Sequence, residues 1–123
     1  MRFLLAFVLL AAIGCSGPIT LPEGIWSGEL IPMNHPDMKT PIEFRVSYPS
    51  GALEISMLGS GGGLIPFENL QFENRILSYS FLEPEGNIFL MCSLSYRDEG
   101  ILEGRCADDS GKWGLFRLRP PSG

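Results

Sequence analysis

From Pro41 to Tyr48 the chain alternates without a fault, with Ile42, Phe44, Val46 and Tyr48 on one side and Glu43, Arg45 and Ser47 on the other. A period of two residues belongs to a strand with one buried face. Pro49-Ser50-Gly51 then turns the chain, and Leu53, Ile55 and Met57 alternate with Glu54 and Ser56, so a hairpin follows. The same pattern predicts strands over Ile25–Ile31, Ile65–Phe72, Ile76–Leu82, Asn87–Tyr96, Ile101–Ala107 and Lys112–Arg119, about eight in all. Beyond the first 14 residues no segment repeats apolar residues at i, i+3, i+4 and i+7, and 15 glycines and 10 prolines punctuate the chain. The expected fold is all-β, an antiparallel up-and-down meander whose edges are hidden by closure into a small barrel.

Two turns allow a register to be written. Asp98-Glu99-Gly100 and Asp109-Ser110-Gly111 suit three-residue hairpin loops whose last residue takes a left-handed conformation. Pairing outward from the first sets Tyr96 opposite Leu102, Leu94 opposite Gly104 and Cys92 opposite Cys106; pairing from the second sets Cys106 opposite Gly114, Gly104 opposite Phe116 and Leu102 opposite Leu118. Directly opposed positions hold Cβ atoms about 4.5–5.5 Å apart, so Cys92 and Cys106 are expected to form a disulfide in an oxidising compartment. The same register turns Phe89, Met91, Trp113 and Leu115 to the outer surface of neighbouring strands, a candidate patch for a protein partner.

The N-terminus supplies an address. Arg2, an apolar run from Phe3 to Ile13, and Gly14 before Cys15 form an export signal too short to span a bilayer. Ala12-Ile13-Gly14-Cys15 resembles the lipobox of bacterial lipoproteins, which implies cleavage after Gly14, acylation of Cys15 and a membrane anchor of several acyl chains at about 0.8 kcal/mol per buried CH₂. The expected organisation is a signal peptide at 1–14, a lipidated tether at 15–23, one barrel domain at 24–119 and a tail at 120–123. Ser16 lacks the aspartate that retains enterobacterial lipoproteins in the inner membrane, which points to the outer membrane. Removing 14 of the 123 residues leaves 109, enough for one domain. With Arg2 gone, 8 Lys and Arg oppose 14 Asp and Glu, and this acidic balance argues against nucleic acid and against docking on anionic head groups.

Gly24-Ile25-Trp26-Ser27-Gly28-Glu29-Leu30 resembles the opening strand of lipocalin-like (calycin) barrels, in which a GxW turn seats the tryptophan at the barrel floor. The likeness extends to Ile65-Pro66-Phe67 and to a late glycine strand ending in Phe116-Arg117-Leu118. It implies a carrier of a small apolar ligand, with Trp26, Phe44, Tyr79 and Phe116 lining the pocket. Calycins also stack a closing arginine on that tryptophan; the candidates Arg117 and Arg119 both point outward by the alternation. The number of bulky inward residues, and strands of only about six to nine residues, favour a filled interior over an open cup.

No constellation for catalysis is present. One histidine, no serine elbow and no framed pair of carboxylates leave neither nucleophile nor acid–base pair, so a non-enzymatic module with no cofactor is expected. Met33, His35 and Met38 are soft ligands that suit copper, but they sit in one loop that needs no metal to explain it. Gly59–Gly63 precedes no helix and is no phosphate loop. The leading expectation is a lipid-anchored envelope barrel that binds a protein partner, as an inhibitor of proteases or lysozymes does; the alternative is the apolar carrier.

Overall fold

A computed structural model describes residues 19–58, 62–83, 87–111 and 113–122, the side chain of Trp113 excepted. Cys15 and the expected signal peptide lie outside the described residues. Nine strands are present: β1 (Gly24–Pro32), β2 (Thr40–Ser47), β3 (Glu54–Leu58), β4 (Leu64–Pro66), β5 (Glu68–Glu73), β6 (Ile76–Glu83), β7 (Ile88–Tyr96), β8 (Leu102–Ala107) and β9 (Trp113–Arg119). All pairings are antiparallel, in the order β4-β3-β2-β1-β9-β8-β7-β6-β5. Each strand lies beside its chain neighbour except where β1 meets β9, and that one long-range pairing joins two meanders into a nearly closed barrel. The described residues hold no helix.

The expected single strand Ile65–Phe72 is two. Pro66 pairs with Ser56 in the β3–β4 ladder but has no N–H to offer on its other side, and after Phe67 the chain crosses from the β3 side to the β6 side. Phe67 N–H donates to the Ile55 carbonyl at 3.0 Å, extending the β3–β4 pairing by one residue. Its ring stacks on Tyr79 at 3.9 Å and meets Phe44 edge-on at 4.9 Å. Beyond it Asn69, at φ 53°, carries a break in register between Glu68 and Gln71. This bulge moves the inward set from odd to even positions, so that Leu70 and Phe72 pack on the core after Phe67. Asn69 Nδ2 donates to Ser80 Oγ at 2.9 Å, satisfying the buried hydroxyl.

The register of the last three strands is the one the turns predict. Cys92 faces Cys106, Leu94 faces Gly104, Gly104 faces Phe116 and Leu102 faces Leu118. Gly100 and Gly111 close their hairpins at φ 88° and 91°. Cys92 and Cys106 are bonded across β7 and β8, closing a loop whose ends lie 14 positions apart. The chain-entropy model gives such a loop about 3 kcal/mol.

Two inward positions explain why the sheet can curl. Gly28 lies between Ile42 and Leu118, and Gly104 between Leu94 and Phe116. A Cβ on Gly28 would run into the Arg117 carbonyl oxygen and stand 2.7 Å from the Leu118 Cα; one on Gly104 would run into the Ser93 carbonyl oxygen and stand 2.6 Å from the Leu94 Cα. In both cases the obstacle is the backbone of the next strand, which no rotamer change relieves. Glycine at these sites lets the strands fold inward and the barrel tighten.

Gly104→Ala is expected to cost about 1–3 kcal/mol by overpacking, whereas Gly63→Ala, with open space around it, should stay within about 0.5 kcal/mol. Phe67→Ala should cost about 3–5 kcal/mol. Urea unfolding of the three variants beside the parent chain measures all of these.

Candidate functional site

The barrel has two unlike ends. At the first, β1, β6 and β8 begin and β2, β7 and β9 finish, and the interior is sealed by Trp26, fully buried, with Tyr96 edge-on to it at 6.1 Å. The chain preceding β1 packs beneath. Leu21 is 1% exposed, the indole N–H of Trp26 donates to the Pro22 carbonyl at 3.0 Å, and the Tyr48 hydroxyl donates to the Leu21 carbonyl at 2.7 Å. Leu21 and Pro22, read from the sequence as tether, thus plug the floor. Burial raises the Tyr48 pKa, the bond to Leu21 lowers it in part, and the Glu23 carboxylate adds a smaller upward push.

Trp26 occupies the floor, where the calycin likeness places it, but the closing arginine differs. Arg117 is turned outward, with its Nε donating to Glu103 at 2.7 Å, and Arg119 is exposed. The guanidinium near this end belongs to Arg75, 4.9 Å above the Tyr96 ring and donating from Nε to the Tyr96 carbonyl at 2.9 Å.

The middle of the barrel is solid. Phe44, Phe67, Tyr79 and Phe116 interlock through edge, stacked and tilted contacts 3.9–6.1 Å between ring centres. Cys106 has no proton once it is in the disulfide, so the Tyr79 hydroxyl is the donor in its 3.7 Å contact with Cys106 Sγ. Burial drives the Tyr79 pKa well above its ordinary value, because nothing around it compensates an anion.

Above this plug the second end is open among the described residues. A cavity of about 260 Å³ enters between the strand ends there, walled by Leu30, Ile42, Met57, Phe81, Leu90 and Phe116, with Glu83 and Asp108 also lining it. Its walls come from the last turns of β1, β3 and β6 and the first of β2, β7 and β9, so one pocket draws on most of the barrel. Gly114 also lines it: a Cβ there would stand 2.9 Å from Leu30 Cδ1, so the missing side chain leaves room for Leu30 on the wall.

Of the four residues proposed from the sequence as a ligand pocket, Phe116 alone reaches this cavity. Trp26 seals the opposite end, and Phe44 and Tyr79 are buried in the plug between. The residues that build the mouth were legible as inward positions, Leu30, Ile42, Met57, Phe81 and Leu90 among them. Their sequence signal was position: all sit at the strand ends that flank the 33–39 loop or its counterparts.

The candidate outer-face residues fall on neighbouring strands. Phe89 faces Leu82 across β6 and β7, Met91 faces Ala107, and Leu115 faces Arg105. Phe89 is 46% and Met91 67% exposed, while Leu115 is half-buried; Trp113 pairs with Ala107 through its backbone. Leu82, which the sequence reading left out, is exposed opposite Phe89. Met33 and Met38 flank a turn in which the Met38 amide donates to the His35 carbonyl at 2.9 Å. Among the described residues no cluster of three His, Cys, Asp or Glu side chains is placed to hold a metal ion.

No family model matches the chain, and no curated protein does. It is similar in fold to a redesigned β-barrel, with a TM-score of 0.63 over 81% of this chain and 91% of that one at 13% identity.

Because the Tyr79 pKa is higher folded than unfolded, its contribution is complete below about pH 10, the ordinary phenol value, and is lost as pH rises toward the folded pKa. Ultraviolet titration should therefore show the Tyr79 phenolate appearing only as the barrel unfolds in alkali, and Tyr79→Phe should move that unfolding to higher pH. A Tyr79 phenolate formed while the fold is intact would contradict its burial.

Proposed function

We propose that the protein is a non-enzymatic, lipid-anchored module of the bacterial envelope that holds an apolar group of a ligand in the open mouth of its barrel. The observation that carries this reading is the mouth itself, a concavity of about 260 Å³ walled by aliphatic and aromatic side chains above a solid aromatic plug. Apolar walls with a few polar groups near the opening are the usual make-up of a small-molecule site. The anchor follows from the lipobox-like Ala12-Ile13-Gly14-Cys15, with Cys15 acylated after loss of residues 1–14 and outer-membrane residence suggested by Ser16.

A second reading takes the outer patch as the working surface. The exposure of Phe89 and Met91 favours it, because large apolar side chains grouped on a sheet face are typical of protein contacts. A protein partner, including a target enzyme that the barrel inhibits, would then cover Phe89, Met91, Leu115 and Trp113.

The two readings separate in one titration. The mature chain carrying Cys15→Ala, which removes the acylation site, is titrated with the neutral fluorophore N-phenyl-1-naphthylamine. Saturable binding should fall at least tenfold in Ile42→Trp, which fills the mouth, and stay unchanged in Met91→Glu. Equal binding by parent and Ile42→Trp, or none by the parent, would rule the mouth out as the site.

A further inference from the structure

We infer that the open end of the barrel is a lipid-docking rim: it settles mouth-down on a zwitterionic bilayer, and the apolar group that the mouth takes is an acyl chain of that bilayer. The inference rests on the reading of the mouth given above and deepens it by naming where the ligand comes from.

The first observation is where apolar side chains are exposed. Among the described residues ten large ones are. Ile19, Ile25 and Ile76 lie at the floor, and the other seven stand at the mouth. Met33 and Met38 come from the loop between β1 and β2, Leu64 from the start of β4, Leu82 from the end of β6, and Ile88, Phe89 and Met91 from the start of β7. The outer face of the floor half carries charge instead, with Arg97 Nη1 donating to Glu103 at 3.3 Å and Arg117 Nε to the same carboxylate at 2.7 Å.

These side chains encircle the opening. From the β1–β2 loop to the β6–β7 end, the sheet passes through β9 and β8 on one side and through β3, β4 and β5 on the other, so Met38 and Leu82 stand across the mouth from each other. A partner against the flank covers only one of them. A surface lying across the opening covers both, and a bilayer is such a surface, soft enough to take side chains of unequal height. Apolar groups of a docked protein enter the boundary of head groups and acyl chains by about 5–10 Å, and the recess of about 260 Å³ opens in the middle of this rim.

Charge and reach fit the same occupant. The connections that join strands at this end, 33–39, 59–63, 84–87 and 108–112, hold Asp37, Glu85, Asp108 and Asp109 against Lys39 and Lys112. That acidic balance disfavours an anionic surface and leaves docking to apolar burial. β1 runs nine residues from floor to mouth, about 20 Å at ~3.3 Å per residue and a tilt of roughly 40°. Cys15 precedes Leu21, buried at the floor, by six links, about 21 Å when extended at ~3.5 Å each. A chain acylated at Cys15 therefore reaches its own membrane with the rim.

The mature chain carrying Cys15→Ala, mixed with phosphatidylcholine vesicles, tests the docking without the anchor. The environment-sensitive fluorophore NBD is attached to one added thiol: Met38→Cys or Leu82→Cys at the rim, or Asp98→Cys at the floor, where the parent side chain is fully exposed. NBD at 38 and at 82 should brighten over the same range of lipid and be quenched by doxyl groups on the acyl chains; NBD at 98 should do neither. Phe89→Glu should raise the lipid needed at both rim sites by about tenfold, and replacing part of the lipid with phosphatidylglycerol should raise it too. Brightening at only one of 38 and 82 would mean that the barrel lies on its flank and would overturn the inference. So would brightening at neither, or shielding of both without vesicles in a species with the mass of a dimer, which would give the rim to a second copy. N-phenyl-1-naphthylamine binding that persists when the rim ignores vesicles would overturn the lipid source alone and leave the mouth reading standing. Docking of both rim sites without N-phenyl-1-naphthylamine binding would instead overturn the acyl chain in the mouth.

Discussion

The structure depends on two absent methyl groups. At Gly28 and Gly104 a side chain would collide with the backbone of the adjoining strand, at Arg117 and Ser93 respectively. Because those positions carry none, β1 and β8 can turn sharply inward over their neighbours, and a nine-strand sheet that would otherwise lie open between its β4 and β5 edges comes round on itself. Curvature creates an inside, and the inside is where Phe44, Phe116 and Tyr79 find partners. The disulfide between Cys92 and Cys106 then ties β7 to β8 beside the Leu94–Gly104 pair.

Closure also divides the interior into unequal parts. Phe67, placed where the chain changes from one end of the sheet to the other, sends its ring into the centre and completes an aromatic plug. Below the plug, Trp26 is capped by Leu21, Pro22 and Tyr96; above it, among the described residues, aliphatic and aromatic side chains wall a recess. The barrel is neither the filled core favoured by counting bulky residues nor the deep cup of the calycin likeness. It is a solid barrel with a recess at one end.

Much of this was legible in the sequence, for identifiable reasons. Strict alternation over Pro41–Tyr48 and the two glycine-ended turns are local signals, and they predicted the β2–β3 hairpin, the register of β7, β8 and β9, and the cysteine pairing. The division of Ile65–Phe72 was visible only as a parity change, with Phe67 and Leu70 both inward though three positions apart, an interval that an unbroken strand cannot satisfy. Leu21 was hidden because its surroundings, Pro18 to Glu23, have no periodicity; its burial comes from Tyr48 and Trp26, which approach from other strands. The site was read one layer too low for a related reason. Trp26, Phe44 and Tyr79 are large and inward, but which inward residues are covered and which face a void depends on depth along the barrel, and depth is set by closure rather than by alternation.

The claim on which the account turns is that the mouth, and no other surface, receives an apolar group. Methyl-resolved nuclear magnetic resonance of the mature chain during titration with N-phenyl-1-naphthylamine tests it most directly. The account predicts shifts at Leu30, Ile42, Ile88 and Leu90, which line the mouth, with Leu21, Leu94 and Leu102 unmoved. Shifts centred instead on Leu82 and Leu115 of the outer face, or none at saturating probe, would contradict it.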